Sequence, residues 1–513
     1  QPLTPLRLRR DALTNHSYDK ATVPCRYLKR NVRPEVMTTW PAESDVLNLR
    51  LEVAKYYKIP LADVVCVASP YRACPLGAHV DHQGGQVSAI ALNLGVLLAF
   101  AKAKSDTVIL QSHNSRESIC ISTSCVSADE PNTTKGWRAY LVGAVKALKQ
   151  QGYDVSCGMV GTVKGHPGAD GAGISSSAAL GCALLMALEI SNDLTCTPEQ
   201  NIWLDKSIEN GMGIKNGILD QSAILLSKES HLTFINCKDG SHTLNPPPWY
   251  GKPSPVRFML AFSGLRVPLT STPGFNQRVD ECTAAAVALL AAVGRPDEEP
   301  ILGNITQEEF QQHKGVLSDG VLRRAEHFFG ECDRVVQGIE AWTNGNLETF
   351  GKLMSASGES SIFNYECGCE PMCKLRTILL NTKGVLGARF SGAGFRGCCV
   401  SLVLAEEAEA AAEAVRKRYM EVEPKLASEA HVMLLDPGHG ARVFQPTIPD
   451  PILPDVNHYD CSYCLQKLQH QCVPEETRSR APILSDSDAP TTVPVEQPAQ
   501  SVATSFLGGL FGA

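Results

Sequence analysis

Residues 178–190 read AALGCALLMALEI, a stretch that is apolar nearly all round when wound as a helix. A helix without a polar face cannot lie on a surface, so this one must be buried inside a layered core. It is too short to span a bilayer. The longest apolar run elsewhere, around 95–101, also falls far below the ~18 residues that a membrane helix needs. The chain has 513 residues, beyond the usual limit of a single core, so two domains are expected. With 43% hydrophobic and 20% charged residues it is neither a disordered nor a fibrous protein. Its net charge of −7 gives no overall attraction to nucleic acid or to an anionic membrane, and neither is expected as a partner.

The ends differ from the middle. Residues 1–36 carry eight Lys/Arg against three acids and read as a disordered basic extension, although an Arg-rich leader is also a transit-peptide signature. Residues 447–513 hold eight prolines and a net charge of −5, the composition of an extended tail. Inside the tail lie His458, Cys461, Cys464, His470 and Cys472. The C-x-x-C pair has zinc-like spacing, but the following H-x-C is too tight for a finger and no apolar core surrounds it. The chain's 19 cysteines are odd in number, and Cys66, Cys182, Cys398 and Cys399 sit in apolar segments. Free thiols in a reducing, cytoplasmic compartment are therefore expected.

Between these ends strand-like and helix-like segments alternate, as in α+β or α/β chains. Val64–Ala68, Val108–Gln111 and Val400–Leu404 read as strands and Glu406–Tyr419 as an amphipathic surface helix.

Four segments carry chemistry. Pro70–Gly85, PYRACPLGAHVDHQGG, crowds Arg72, His79, Asp81 and His82 among glycines after a strand. That suits a polyhydroxylated ligand, because one carboxylate accepts two hydroxyls, but it also suits a solvated loop. Pro167–Ala179, PGADGAGISSSAA, runs into the buried helix. Its glycines permit close backbone approach, and Ser175, Ser176 and Ser177 can cap the helix or place hydroxyls at its positive end, where phosphate binds. No Walker-type G-x-x-x-x-G-K-[ST] occurs. Arg389–Cys399, RFSGAGFRGCC, is a glycine-rich turn beside a strand and could be an ordinary hairpin. In Ile208–Ser222, IENGMGIKNGILDQS, Asp220 lies in an apolar stretch. It is a helix cap or a buried functional carboxylate, and if buried it should have a cationic partner.

In this order the segments resemble the GHMP kinases, and among them the sugar kinases related to galactokinase. Pro70–Asp81 matches P-x-R-x-x-x-x-G-x-H-x-D, Gly173–Ala179 the GISSSAA core of the second motif, Gly392–Gly397 the third motif G-x-G-F-x-G, and Gly217–Gln221 the G-I-x-D-Q signature. Pro167 lies two positions further upstream than the second motif prescribes. The resemblance covers about 37–446. Together with FNYECG (Phe363–Gly368), the wording of the motifs is similar to the plant members that act on galacturonic acid.

The resemblance implies an α+β, two-domain GHMP kinase fold. A ribosomal-S5-like N-terminal domain over 37–252 and a ferredoxin-like C-terminal domain over 253–446 would meet at the ligand cleft. It implies transfer of the ATP γ-phosphoryl group to the anomeric hydroxyl of a sugar, with Mg²⁺. Carried over by position, Asp220 is the catalytic aspartate and Arg72 the arginine paired with it. Gly171, Ala172, Gly173, Ile174, Ser175, Ser176 and Ser177 would wrap the nucleotide phosphates, with Gly392 and Gly394 opposite. Ser177 and Glu209 would hold magnesium, and Ala78, His79, Asp81 and Phe275 would face the sugar. A carboxylate beside Arg72 should be ionised at neutral pH.

Departures from the family bear on the substrate. Ala78 stands where galactokinases carry a glutamate that contacts the C6 hydroxyl. A uronic acid carries a carboxylate at C6, and two carboxylates there would repel, so alanine predicts an acid sugar, D-galacturonate. Arg396, where galactokinases have glycine, and His82 are candidates for the counter-charge. Phe275 replaces a tyrosine of relatives, removing one hydrogen bond. The same chemistry on galactose or L-arabinose, and a non-catalytic sugar- or ATP-binding regulator, are the rival readings. The sequence does not set the oligomeric state.

Overall fold

The computed structural model describes residues 40–115, 117–166, 173–265 and 274–445. The basic extension, the tail with its Cys/His cluster, and Gly171 and Ala172 lie outside the described residues.

The first sheet grows around one long strand. β1 (Val65–Ala73) runs antiparallel to β2 (Gln86–Lys102), whose 17 residues are long enough to serve several neighbours. The far half of β2 pairs with β5 (Met159–Lys164), and the near half with β6 (Leu232–Asn236). β3 (Thr107–Ser112) lies parallel to β5, β4 (Ser118–Ser122) antiparallel to β3, and β7 (His242–Asn245) antiparallel to β6. Helices α1 (Glu43–Tyr57), α3 (Ser176–Ser191) and α5 (Leu219–Leu226) pack on this sheet, and α2 (Arg138–Gln150) and α4 (Pro198–Gly211) pack against α3. α3 is the apolar segment of the sequence. It touches β1, β2, α2, α4 and α5, so eleven of its sixteen residues are buried and none is exposed, as a helix without a polar face requires.

The second sheet is antiparallel throughout, in the order β11 (His431–Leu435), β8 (Val256–Phe262), β10 (Cys398–Leu404), β9 (Val385–Phe390). Helices α9 (Leu347–Phe363), α10 (Glu370–Leu380) and α11 (Ala408–Val422) pack on it. The long α8 (Asp319–Thr343) packs on α9 and α6 (Gly274–Ala292) and also reaches β2, joining the two sheets. The last strands, Pro437–Gly438 and Arg442–Phe444, return to β2 and β1. The architecture is the expected α+β fold built on two sheets.

The anticipated elements appear with shifted bounds. β1 extends to Ala73, so the first polar segment begins on the strand rather than after it. The pairing with β2 slips between Pro70 and Arg72, a bulge that suits a proline with no N–H to give and re-aims Arg72. Gly95 opposite is obligatory, since a Cβ there would lie 2.2 Å from the Ser69 carbonyl oxygen. The expected surface helix starts at Ala408, after a 3₁₀ turn over 405–407. All fifteen described cysteines are free, and eight are buried. No described helix is long and apolar enough to cross a membrane.

Candidate active site

Arg72 leaves the bulged end of β1 with only 4% of its surface exposed. A buried guanidinium needs an acid, and Asp220, at the first turn of α5, supplies it. Nε donates to Asp220 Oδ1 at 2.7 Å, and the second ion-pair contact to the same oxygen is 2.6 Å. The other oxygen, Oδ2, accepts the Ser175 hydroxyl at 2.5 Å. The carboxylate is thus gripped from both sides while its side chain stays 21% exposed towards the cleft. Burial works against the charge of Arg72, but Asp220 outweighs it and the arginine's pKa is raised.

Ser175 precedes α3 in a left-handed conformation, with no cap bond of its own. Its hydroxyl holds the aspartate instead, a role the sequence reading did not assign. Two residues on, Ser177 donates to Glu209 Oε1 at 2.7 Å. Asn216 holds the other oxygen of Glu209, and Gln221 reaches it at 3.4 Å. Burial, then the neighbouring Asp220, pushes Glu209 up to about 7. Asp205, one turn earlier on α4, is fully buried with neither oxygen partnered, and its pKa is raised by burial and by Glu209. This corner therefore holds more negative charge than it can solvate, which suits a hard divalent cation. Among the described residues no three His, Cys, Asp or Glu side chains form a cage. An ion beside Ser177 and Glu209 would complete its shell with water and phosphate oxygens, as magnesium does.

The glycines of the second and third motifs interlock. Ser391 donates to the Gly173 carbonyl at 2.8 Å, and Arg72 reaches the same oxygen at 3.3 Å. A Cβ on Gly392 would lie 2.8 Å from that oxygen, and one on Gly173 2.9 Å from Ser391 O. Both glycines have positive φ, so each is required twice over. The Ile174 side chain is buried in the core, and its carbonyl accepts the Arg72 backbone N–H at 3.2 Å. Gly394 packs against Cys367, whose sulfur would be 2.6 Å from a Cβ there.

The other end of the cleft is lined by Ala78, His79 and Asp81. Asp81 accepts from the Leu219 N–H at 3.4 Å, and its pKa is raised by burial and by Asp220. His79 stacks on Tyr365 with 4.2 Å between ring centroids, and its Nε2 lies 3.3 Å from Cys367 Sγ. Behind this segment sits Glu331 of α8, which the sequence did not mark. It accepts the backbone N–H of Gly77 at 2.9 Å and of Ala78 at 3.0 Å, the Ser357 hydroxyl, and Arg334 Nε at 2.7 Å. Burial opposes its charge, but Arg334 and nearby cations hold it at about 2. His327 contacts the Ala78 carbonyl through Nε2 at 2.8 Å. His82 lies 3.2 Å from the Tyr365 hydroxyl, and burial drives its pKa down to about 3. A neutral imidazole supplies no counter-charge at neutral pH.

Of the residues singled out in the sequence, Arg72, Ala78, His79, Asp81, Ser176, Ser177, Glu209, Asp220, Phe275 and Gly392 line one cavity of about 1040 Å³. That is room for more than one small ligand. Gly173, Ile174, Ser175 and Gly394 stand behind its wall.

Residues 139–228 match the model of the GHMP kinase N-terminal domain and residues 337–421 that of the GHMP kinase C-terminal domain. The chain is 46% identical over 423 residues to galacturonokinase of Arabidopsis thaliana, covering 79% of this chain and 99% of that protein. It is 29% identical to a galactokinase of Lacticaseibacillus casei, covering 73% of this chain and 93% of the relative. Among solved structures, Lactococcus lactis galactokinase complexed with galactose superposes with a TM-score of 0.68 at 27% identity, covering 77% of this chain and 98% of that one. With both halves of the fold matched and the motif residues gathered in one cleft, the chain belongs to the GHMP kinase family.

Proposed function

We propose that the chain transfers the γ-phosphoryl group of ATP to the C1 hydroxyl of D-galacturonate, giving galacturonate 1-phosphate and ADP. The observation that carries this reading is Asp220, held by Arg72 and Ser175 in the cleft where the two glycine-rich segments interlock. Phosphoryl transfer has a loose transition state, so positioning and charge neutralisation matter more than a strong base. Arg72 and Ser175 fix the Asp220 carboxylate. It orients the anomeric hydroxyl and takes its proton as the O1–P bond forms and the bond from phosphorus to the ADP oxygen breaks. Ser176 and Ser177, at the positive end of α3, face the phosphates across from Gly392. Magnesium held by Ser177 and Glu209 would neutralise phosphate charge. Asp81 accepts ring hydroxyls, and donors from the sugar relieve its buried charge.

The acid sugar is supported by Ala78, which adds no carboxylate near C6, and by the likeness to the Arabidopsis galacturonokinase. The test is a substrate panel with Mg-ATP, read as ADP release. Galacturonate should be turned over with a higher kcat/KM than galactose or L-arabinose. Ready turnover of galactose with none of galacturonate would overturn the substrate. No ADP release with any sugar would overturn catalysis in favour of a binding role.

A further inference from the structure

A uronic acid enters the cleft with a negative charge on a chain that is itself at −7. Its carboxylate needs a local cation once water is excluded. Among the described residues four Lys or Arg side chains line the cavity: Arg72, Lys135, Arg389 and Arg396. Arg72 is engaged by Asp220. Lys135 lies on the exposed rim. Arg396 interacts electrostatically with Tyr140 and lies in the third motif beside Gly392, which places it at the phosphate end.

Arg389 is different. It projects from β9 with 1% exposure, and its hydrogen bonds go only to Cys74, with Nη1 2.9 Å from the carbonyl oxygen and 3.6 Å from the sulfur. Its Nε has no partner, and among the described residues no carboxylate pairs with it. Glu331 is near enough to feel its charge but gives its oxygens to Gly77, Ala78, Ser357 and Arg334. A buried guanidinium with an idle donor and no acid is costly unless a ligand completes it. Its neighbours in the cavity wall are Cys74, Ala78 and His79, the sugar end of the cleft. Ala78 brings no acid of its own, so the guanidinium is left for the ligand.

We propose that Arg389 is a specificity-determining residue that binds the C6 carboxylate of the sugar acid. The role rests on the galacturonate reading and names the group that recognises the acid. A planar, permanently charged fork suits a carboxylate better than an ammonium does.

The test compares galacturonate with its neutral isostere, galacturonamide, in the unaltered chain, Arg389→Gln and Arg389→Lys. Turnover of galacturonate by the unaltered chain is read first, and its absence overturns the function itself. Given that turnover, the unaltered chain should prefer the acid to the amide. Arg389→Gln should lower the acid/amide ratio of kcat/KM by about 30-fold or more, through KM for the acid, with KM for ATP unmoved. Arg389→Lys keeps a charge and a donor for the Cys74 carbonyl, and should fall between, which also serves if the glutamine variant does not fold. An unchanged ratio in either folded variant, or equal loss on acid and amide, would overturn the proposal.

Discussion

Around Asp220 the groups come from short motifs that the chain brings together: Arg72 from a strand end 148 positions away, Ser175 and Ser177 from three successive serines, and Glu209 from α4. The sugar end is built otherwise. Its segment, Cys74–His79, is held by Glu331 at Gly77, His327 at Ala78 and Arg389 at Cys74, which lie 254, 249 and 315 positions from the groups they bond. At the first end a few charged contacts fix one carboxylate, and at the second a buried scaffold sets the shape. On the proposed function, we expect residues at one end to be replaceable with little effect on the other.

The comparison can be broken most sharply at Asp220. Asp220→Asn keeps the size of the side chain but removes the proton acceptor and the partner of Arg72. We expect kcat to fall by roughly 10²–10⁴-fold, with ATP still bound by calorimetry. Retention of most activity would mean that Asp220 is not the acceptor.

Glu331→Ala tests the scaffold. It strands two backbone N–H groups and Arg334 in a dry interior, so stability should drop by about 3–5 kcal/mol in urea unfolding. If the fold survives, KM for the sugar should rise while KM for ATP stays put. Equal changes in both would erase the distinction between the two ends.

Smaller effects sharpen the helix beneath the phosphate end. Gly181 sits in the middle of α3, where helix propensity alone says that alanine is better by about 1 kcal/mol. A Cβ there would lie only 1.8 Å from Asp205 Oδ1, however. Gly181→Ala should therefore destabilise, by roughly 1–3 kcal/mol, as overpacking does. A gain in Tm would show that α3 and α4 can separate freely.

The smallest effect is a pH dependence. Asp205 has a folded pKa raised above its ordinary 3.8 by burial, then by Glu209. A raised carboxyl pKa means that the folded state holds its proton where the unfolded chain has released it. The wild-type chain then loses stability as pH rises from about 4 towards the folded value. Asp205→Asn does not titrate, so its Tm relative to wild type should climb across that window. A constant difference would show that Asp205 is solvated.

Much of this was legible in the sequence for a physical reason. Close phosphate approach needs glycine, and a helix start needs its hydroxyls on adjacent residues, so the chemistry is written in contiguous letters. The all-apolar α3 likewise announces its own burial. The bond from Ser175 to Asp220 is not legible, because sequence shows a hydroxyl at a helix start but not the aspartate beside it, 45 positions on. Gly394 reads as a ligand-facing glycine, and its packing against Cys367 is not legible in the sequence. Glu331 and His327 carry no signal at all, since on an amphipathic helix a buried polar side chain looks like a solvated one. The return of Pro437–Gly438 and Arg442–Phe444 to the first sheet was also invisible, being pairings of two and three residues without alternation.

We propose that a GHMP kinase reaction end is combined here with a sugar end that selects an acid. The most direct measurement is the ratio of kcat/KM for galacturonate over galactose, in the unaltered chain and in Ala78→Glu. We expect a ratio well above one that falls below one in the variant, as the new carboxylate repels the acid and pairs with Arg389. A ratio below one in the unaltered chain, or one indifferent to the glutamate, would contradict it.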